Sequence, residues 1–411
     1  MRIRPILLLL STLALSACGQ DSTDTATTES TPEPVDLMAK AIEIAQSSII
    51  IDTHIDVPNR VFGEWEDVTV ATDGGDFDYP RAVAGGLNAP FMSIYTPASL
   101  EAEGESKARA EQLIEFVERI VASAPDKFAI ARSPDEIEAQ FAKGIISLPM
   151  GMENGSPIEG DLAILEYFFD RGIRYITLAH SLSNHISDSS YDDNKAHGGL
   201  SEFGVEVVKE MNRLGMIVDI SHVSDDAFWD VMEVATAPAI ASHSSARHFT
   251  QGFERNMADD MIKKLAENGG VIMINYGSSF LTQAAQDYSS DRGDAWDAFL
   301  EATGQESNSD LRSTFNAEYA VEHGNFPFAT TEETLDHFDH VVELTGSVDY
   351  VGIGSDYDGV GDSLPIGLKD VSSYPNLVHG LLQRGYSEDD IQKILGKNLL
   401  RVWRVIEAAA E

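Results

Sequence analysis

The sequence predicts an α/β protein whose core is a (β/α)8 barrel of the TIM type. Eight short β-like runs occur along the chain, and stretches with helical patterning separate most of them. Most of the runs are continuous apolar segments, as expected for parallel strands that are buried on both faces. The predicted strands are residues 49–54, 91–95, 145–150, 175–180, 217–222, 239–243, 271–276 and 350–356.

Helix-start signals lie between these runs. Ser133 with Glu136, and Thr330 with Glu333, have the spacing of capping boxes, in which each side chain binds the other residue's backbone N–H. Ser224 and Ser387 are predicted N-caps. The signals support an alternation of strands and helices.

The N-terminus predicts a processing signal, which we exclude from the fold. Residues 1–17 combine Arg2 and Arg4 with a short apolar stretch, and Leu15-Ser16-Ala17-Cys18 resembles a bacterial lipoprotein lipobox. A plain secretory signal or a membrane span are the alternatives, but the stretch is short for a hydrocarbon core of about 30 Å. Residues 18–36 then form a lipidated Cys18 with a flexible polar tether, and residues 37–411 the barrel domain.

The lipobox also predicts the location. The protein is expected in the bacterial cell envelope, facing the periplasm, and joined to the membrane only through the lipid on Cys18. Gly19 supplies no retention aspartate for the inner membrane, which favours the outer membrane.

Composition excludes several kinds of chemistry. Cys18 is the only cysteine, so the domain contains no disulfide, cysteine nucleophile or thiolate metal site. With 68 acidic and 28 basic residues the formal net charge is −40, which argues against nucleic acid or an anionic lipid surface as a partner.

Side chains of the types that bind metals follow six of the predicted strands, at the ends where a barrel places its active site. His54 and Asp56 alternate at the end of the first run, so they point the same way and can bind one ion. A single His or Asp at a strand end is more often structural, but six such ends are difficult to attribute to packing. The candidates are His54, Asp56, Glu153, His180, His222, His243 and Asp356.

Other catalytic motifs are absent from the sequence. It contains no G-x-S-x-G elbow, Walker loop or H-E-x-x-H pair. The remaining histidines fit none of the strand ends and are interpreted as surface or packing residues: His185, His197, His248, His323, His337, His340 and His379.

An insertion follows the seventh strand. Residues 282–330 are polar, acidic and contain aromatic residues, and loops of this length after a barrel strand are often functional. We expect a partly helical lid that narrows substrate choice. The alternative is a solvent-facing embellishment.

These motifs resemble the membrane dipeptidase (renal dipeptidase) family, a branch of the amidohydrolase-like metal barrels. The resemblance extends over nearly the whole chain after the tether. The segments that carry it are Asp52-Thr53-His54-Ile55-Asp56, Gly151-Met152-Glu153-Asn154-Gly155, Tyr175-Ile176-Thr177-Leu178-Ala179-His180, Val218-Asp219-Ile220-Ser221-His222-Val223-Ser224, Ser242-His243-Ser244-Ser245-Ala246, Arg255-Asn256 and Gly352-Ile353-Gly354-Ser355-Asp356-Tyr357-Asp358-Gly359.

The resemblance implies two Zn²⁺ ions per chain. It assigns His54 and Asp56 to one ion and His222 and His243 to the other, with Glu153 as the bridge. Two such ions can share a bridging water and lower its pKa, so that hydroxide attacks the substrate near neutral pH.

The resemblance also implies residues for the substrate. His180 would stabilise the developing oxyanion, and Asp356 would bind the free amino group and relay a proton. Arg255 would pair with the terminal carboxylate. Tyr276 is a weaker substrate-contact candidate, and Asp358 is interpreted as structural.

The implied activity is hydrolysis of dipeptides, including those with a D-residue on the C-terminal side. Two alternatives stay open: another binuclear hydrolase of the amidohydrolase type, such as a deaminase or esterase, or a solute-binding envelope lipoprotein. The sequence leaves the oligomeric state open, with a homodimer as one alternative.

Overall fold

A closed barrel of eight parallel strands occupies the centre of the computed structural model, which describes residues 36–411. The predicted signal peptide, Cys18 and the tether up to residue 35 lie outside the described residues. None of the described helices is both long enough and apolar enough to cross a membrane. The predicted fold class is confirmed.

The barrel strands follow one another around the ring in the order β1, β2, β5, β6, β7, β8, β9 and β10, and β10 closes the ring against β1. All of the neighbouring pairs are parallel, so every strand ends at the same mouth of the barrel. The strands are β1 Ile50–Ile55, β2 Leu87–Tyr95, β3 Phe128–Ile130, β4 Ile146–Leu148, β5 Met150–Glu153, β6 Ile173–Thr177, β7 Ile217–Asp219, β8 Ala239–Ala241, β9 Val271–Ile274 and β10 Val351–Ile353.

The third predicted strand, residues 145–150, is wrong in its bounds. Its apolar run belongs to two strands on either side of Pro149. Residues Ile146–Leu148 pair with Phe128–Ile130 in a separate two-stranded sheet, whereas Met150–Glu153 enter the barrel. Glu153 is therefore the last residue of a barrel strand and not a loop residue.

Helices surround the barrel and connect its strands. They are α1 Leu37–Ser47, α2 Val57–Gly63, α3 Tyr79–Gly85, α4 Ser99–Glu103, α5 Ser106–Ser123, α6 Pro134–Phe141, α7 Leu162–Arg171, α8 Glu202–Leu214, α9 Asp225–Val234, α10 Asp259–Glu267, α11 Ser278–Leu281, α12 Gln283–Thr303, α13 Ser309–His323, α14 Thr331–Thr345, α15 Tyr374–Gln383, α16 Glu388–Gln392 and α17 Asn398–Ala409.

The predicted helix starts are confirmed with one difference. Ser224 and Ser387 cap their helices, and Thr330 forms the full capping box with Glu333. Ser133 accepts a hydrogen bond from the backbone N–H of Glu136, but the Glu136 carboxylate accepts from the N–H of Arg132 instead of completing the box.

Large aromatic side chains fill the barrel interior. The ring of Phe91 lies between Tyr175 and Trp403, with ring centroids 5.5 Å from each, so α17 contributes to closing the barrel end opposite the mouth. Gly151 makes room for this packing, because a Cβ atom there would collide with the ring of Tyr175. The glycine therefore allows the Tyr175 hydroxyl to reach the strand that carries His54.

The insertion forms two helices, α12 and α13, and a short connection to α14. Trp296 packs against Phe299 and Phe315, with ring centroids 5.6 and 5.2 Å away, which gives the helix pair a small apolar core of its own. The partly helical character is confirmed. None of the residues that line the cavity at the barrel mouth comes from 282–330, an arrangement that favours the solvent-facing alternative.

Candidate active site

A cavity of about 530 Å³ opens at the mouth of the barrel, where the strands end. Five of the seven candidates line it: Asp56, Glu153, His180, His222 and Asp356. His54 and His243 lie directly beneath, fully buried. The other lining residues are Asn59, Tyr95, Ser181, Tyr191, Ser279, Phe280, Asp358, Gly359, Val360 and Ser363.

The two carboxylate oxygens of Glu153 face different histidines. Oε2 lies 3.3 Å from Nε2 of His54, while Oε1 lies 3.2 Å from Nε2 of His222 and 3.4 Å from Nε2 of His243. Oδ2 of Asp56 also lies 3.4 Å from Nε2 of His54, so Asp56 and His54 lie together on the Oε2 side of Glu153. The donors thus form two sets that share one carboxylate.

Neighbouring hydroxyl groups fix the orientation of two of these imidazole rings. The Tyr175 hydroxyl donates to the carbonyl oxygen of Thr53, so it accepts the Nδ1–H of His54 at 2.8 Å. In the same way Ser242 donates to Asp219 at 2.6 Å and accepts from Nδ1 of His243 at 2.7 Å. Both arrangements leave the Nε2 lone pair directed at the shared carboxylate, as in metal sites.

The donor set fits divalent metal ions. Nε2 of His54 is buried and has no hydrogen-bond partner among the described residues, although it lies beside two carboxylates. Such an atom is costly to bury unless a cation or a proton satisfies it. Neutral imidazole and carboxylate are ligands that zinc and similar ions prefer.

The electrostatics of the site keep three of the ligands, His222, His243 and Glu153, in metal-binding protonation states. Burial lowers the pKa of His222 and of His243 well below its usual value, and the positive charge of Arg255 acts in the same direction. Burial alone would raise the pKa of Glu153, but His54 and His180 outweigh it and hold that pKa well below its usual range. The imidazoles of His222 and His243 are therefore neutral and the Glu153 carboxylate is ionised. His54 differs: burial lowers its pKa, but Tyr175, Glu153 and Asp56 outweigh burial and raise that pKa well above its usual value.

Asp356 occupies a strained position at the mouth. Its φ of 64° and the φ of 68° at His222 lie in the left-handed region, which costs non-glycine residues energy and occurs most often at functional sites. The Nδ2 of Asn275 donates to Oδ2 of Asp356 at 2.8 Å. Burial raises the pKa of Asp356 to about 7; His54 opposes this rise, while Asp56 and Glu153 reinforce it.

His180 lies beside His222, with ring centroids 4.2 Å apart, and faces the same oxygen of the shared carboxylate. Its Nε2 is 3.3 Å from Oε1 of Glu153, and its ring makes an edge contact with Tyr95 at a centroid distance of 4.8 Å. Burial raises the pKa of Tyr95 to about 12, with Glu153 and Asp56 adding to the effect, so the phenol remains a hydrogen-bond donor.

Two predicted substrate residues are not part of the cavity wall. Arg255 is 3% exposed and donates to Ser244 Oγ at 2.7 Å and to the His243 carbonyl oxygen at 2.8 Å. Its guanidinium lies 5.3 Å from the ring of Phe280, which does line the cavity. Tyr276 is fully buried against Tyr357, so the structure places it in the core and not at the substrate site.

Asp358 has the structural role that the sequence suggested. Its carboxylate accepts two hydrogen bonds from Arg60, at 2.8 and 3.0 Å, and one from the backbone of Asp76 at 2.7 Å. The bonds from Arg60 anchor the loop after β10 to α2, and the bond from Asp76 anchors it to the segment before α3.

Sequence reasoning missed three residues of the site. Tyr95 ends a predicted strand, and that position was a usable signal. Tyr175 lies within a quoted motif, but only the barrel interior shows that its hydroxyl reaches His54. Tyr191 lies in the long connection between β6 and α8, where the sequence carries no signal.

Comparison with known proteins identifies this arrangement. The model of the membrane dipeptidase family (peptidase family M19) matches residues 38–411. The chain is 30% identical over 421 residues to an uncharacterized dipeptidase of Schizosaccharomyces pombe, a match that covers 99% of this chain and 91% of the relative. It is 34% identical over 343 residues to dipeptidase tcpJ of Claviceps purpurea, covering 82% and 70% of the two chains.

A solved structure shows the same fold. The probable dipeptidase PvdM from Pseudomonas aeruginosa superposes with a TM-score of 0.78 at 26% identity, covering 91% of this chain and 99% of that one. Because the family model spans almost all of the described residues, the chain belongs to the membrane dipeptidase family, peptidase family M19, and is a metallo-dipeptidase of that family.

Proposed function

We propose that the protein is a zinc-dependent dipeptidase with two Zn²⁺ ions per chain, and that its substrates include dipeptides with a D-residue on the C-terminal side. The observation that carries the two-metal proposal is the orientation of Glu153, whose two oxygens face His54 and the His222–His243 pair respectively. A single ion would need only one of these oxygens. His54 and Asp56 would hold one ion, and His222 and His243 the other.

The chain's own residues would prepare the substrate for hydrolysis. When bound, the metal ions supply Lewis-acid chemistry, which polarises the carbonyl and lowers the pKa of water. His180 stands beside Glu153 without being needed as a ligand, so its Nε2 can donate to the oxygen that gains charge in the transition state. Asp356, held by Asn275, would bind the substrate's amino group and carry the proton to the leaving amine.

Arg255 is proposed to select the substrate's carboxylate. Its Nε–H is buried and lacks a partner within residues 36–411, and a planar guanidinium suits a carboxylate. Because Phe280 lies between the guanidinium and open solvent in the cavity, access would require this ring to move. Arg255→Lys should raise KM and leave bound metal unchanged; unchanged kinetics would exclude the assignment.

We also propose that Cys18 carries a lipid that anchors the enzyme in the cell envelope, facing the periplasm, with the outer membrane preferred. Only the lipobox supports this. Cys18→Ser should release the enzyme from the membrane fraction while retaining activity, and a variant that stays in the membrane would exclude it. A homodimer is the proposed assembly, which light scattering would measure.

The activity test uses the purified enzyme on L,L-, L,D- and D,D-dipeptides. Activity should disappear with a chelator and return with Zn²⁺, and bound metal should be measured in the same samples. Hydrolysis of esters or deamination of bases without release of amino acids would favour another binuclear hydrolase. Binding without turnover would favour a solute-binding protein.

A further inference from the structure

A second group of metal-binding side chains lies outside the barrel mouth. His248 belongs to the 3₁₀ turn Arg247–Phe249, Asp259 is the first residue of α10, and His340 lies in α14. One ligand atom from each of the three lies within 4.8 Å of the others. Three elements that are distant in sequence therefore present a donor set of two imidazoles and one carboxylate.

The geometry of the group is close to what a metal ion requires. Nε2 of His340 lies 2.9 Å from Oδ1 of Asp259, and the ring of His248 stacks on that of His340 with centroids 4.4 Å apart. In a tetrahedral zinc site with bonds of about 2.0–2.1 Å, ligand atoms lie roughly 3.3 Å apart. Since the three ligand atoms lie within 4.8 Å of one another, no distance between them would have to change by more than about 1.5 Å to reach this spacing.

A simple ion pair accounts for only two of the three residues. Asp259 and His340 can satisfy each other, but His248 has no role in that pair. Within residues 36–411, the hydrogen bond from a side chain to His248 is accepted by its backbone carbonyl oxygen, from Nε2 of Gln251 at 2.7 Å. Both ring nitrogens of His248 therefore stay available for a metal ion. A cation bound by one edge nitrogen of each ring, together with the Asp259 carboxylate, would explain why a second imidazole lies there.

We propose that His248, Asp259 and His340 bind one divalent transition metal ion, with zinc as the ion to test, at a site separate from the catalytic centre. The side chains are accessible, since those of Asp259 and His340 are 44% and 12% exposed. Three protein ligands leave the fourth position to solvent.

The position of this site gives it a mechanical role. The segment from His248 to Asp259 contains Arg255 and follows the strand that leads to His243. The chain just before this segment is already attached to α14, because the backbone N–H of Ala246 donates to Nδ1 of His337 at 3.0 Å. A metal ion held by His248, Asp259 and His340 would join both ends of this segment to α14 and stabilise it.

The test is a Zn²⁺ titration of the chelator-treated enzyme with the number of bound ions counted by elemental analysis. The double variant His248→Gln/His340→Gln should bind one ion fewer than the unmodified enzyme. Its melting temperature should also rise less with Zn²⁺. The matched control is His185→Gln, because His185 pairs with Glu101 at 2.6 Å but belongs to none of the metal-binding groups found within residues 36–411. This variant should bind the full number of ions.

Equal metal content in the double variant and the unmodified enzyme would overturn the proposal. A measurement on the unmodified enzyme is independent of any folding defect in the variants: anomalous scattering at the zinc absorption edge, from crystals grown with Zn²⁺, should give a peak among the three side chains. Zinc peaks confined to the Glu153 centre would also overturn it. Neither result depends on which substrate the enzyme hydrolyses.

Discussion

The hydroxyl oxygen of Tyr175 lies 2.8 Å from Nδ1 of His54 in the barrel interior. Because this hydroxyl donates to the Thr53 carbonyl oxygen, it accepts the Nδ1 proton and keeps the Nε2 lone pair free. Tyr175→Phe should therefore lower metal affinity by about 10- to 100-fold, the usual effect of losing such a partner. Metal competition with a chelating dye measures this affinity.

Tyr386→Phe is the matched control for that substitution. The hydroxyl of Tyr386 donates to Asp339 at 2.6 Å, on the outer helices. This variant should keep the metal affinity of the unmodified enzyme. Equal affinities in both variants would show that the Tyr175 hydroxyl does not control the state of His54.

Gly359 lies against the two acids at the mouth. A Cβ atom there would collide with the carboxylates of both Asp56 and Asp356, and the glycine has ordinary backbone angles, so alanine would displace side chains and not the backbone. Gly359→Ala should lower kcat/KM by at least tenfold. Gly293→Ala, where a Cβ meets open space, should leave kcat/KM unchanged; a fully active Gly359→Ala enzyme would contradict the placement of these acids.

Trp296 tests the role of the insertion. Removing its ring from the core formed with Phe299 and Phe315 should loosen α12 and α13, seen as faster hydrogen exchange over residues 283–323. Since no cavity-lining residue comes from this segment, kcat/KM for dipeptides should stay within twofold. A large change in substrate preference would restore the lid interpretation.

His337 predicts how stability depends on pH. Burial, with His340 and His248 acting in the same direction, lowers the pKa of His337 from 6.5 to about 4, whereas the hydrogen bond to Leu281 opposes the shift. Between these values the unfolded chain binds a proton that the folded chain does not. The contribution of neutral His337 to the free energy of unfolding is therefore fully present above about pH 6.5 and is lost as the pH falls toward 4.

By pH 5 the free energy of unfolding has lost about 2 kcal/mol, because it falls by roughly 1.4 kcal/mol for each pH unit below about 6.5. Urea unfolding at pH 7 and pH 5 measures how far the free energy of unfolding falls between these two pH values. This fall should be smaller by about 2 kcal/mol in His337→Gln than in the unmodified protein. His323→Gln, at a more exposed helical histidine, should keep the full decrease. An identical decrease in all three proteins would exclude this contribution.

The sequence was sufficient to predict the barrel and the convergence of its ligands. His54, His222 and His243 could be placed together because the C-terminal ends of parallel strands meet at one mouth. The bounds of strand three could not be predicted, because the apolar run around Pro149 continues from a separate two-stranded sheet into the barrel. Apolar pattern alone does not distinguish two short buried strands from one.

Side-chain direction near the strand ends was the other source of error. Tyr276 follows β9 as the candidates follow their strands, yet it turns into the core against Tyr357. The left-handed backbone at His222 and Asp356 turns those side chains toward the cavity instead, and this property depends on the surrounding loops. Tyr175 reaches His54 across the barrel, and this contact depends on packing between strands distant in sequence.

The most direct measurement of the central claim is the metal content and dipeptidase activity of Glu153→Gln, compared with the unmodified enzyme at the same Zn²⁺ concentration. An amide in place of the shared carboxylate removes the charge that both donor sets face, so bound metal and kcat should fall together. Full metal content with normal hydrolysis of dipeptides would contradict the account, because Glu153 would then not be the bridge.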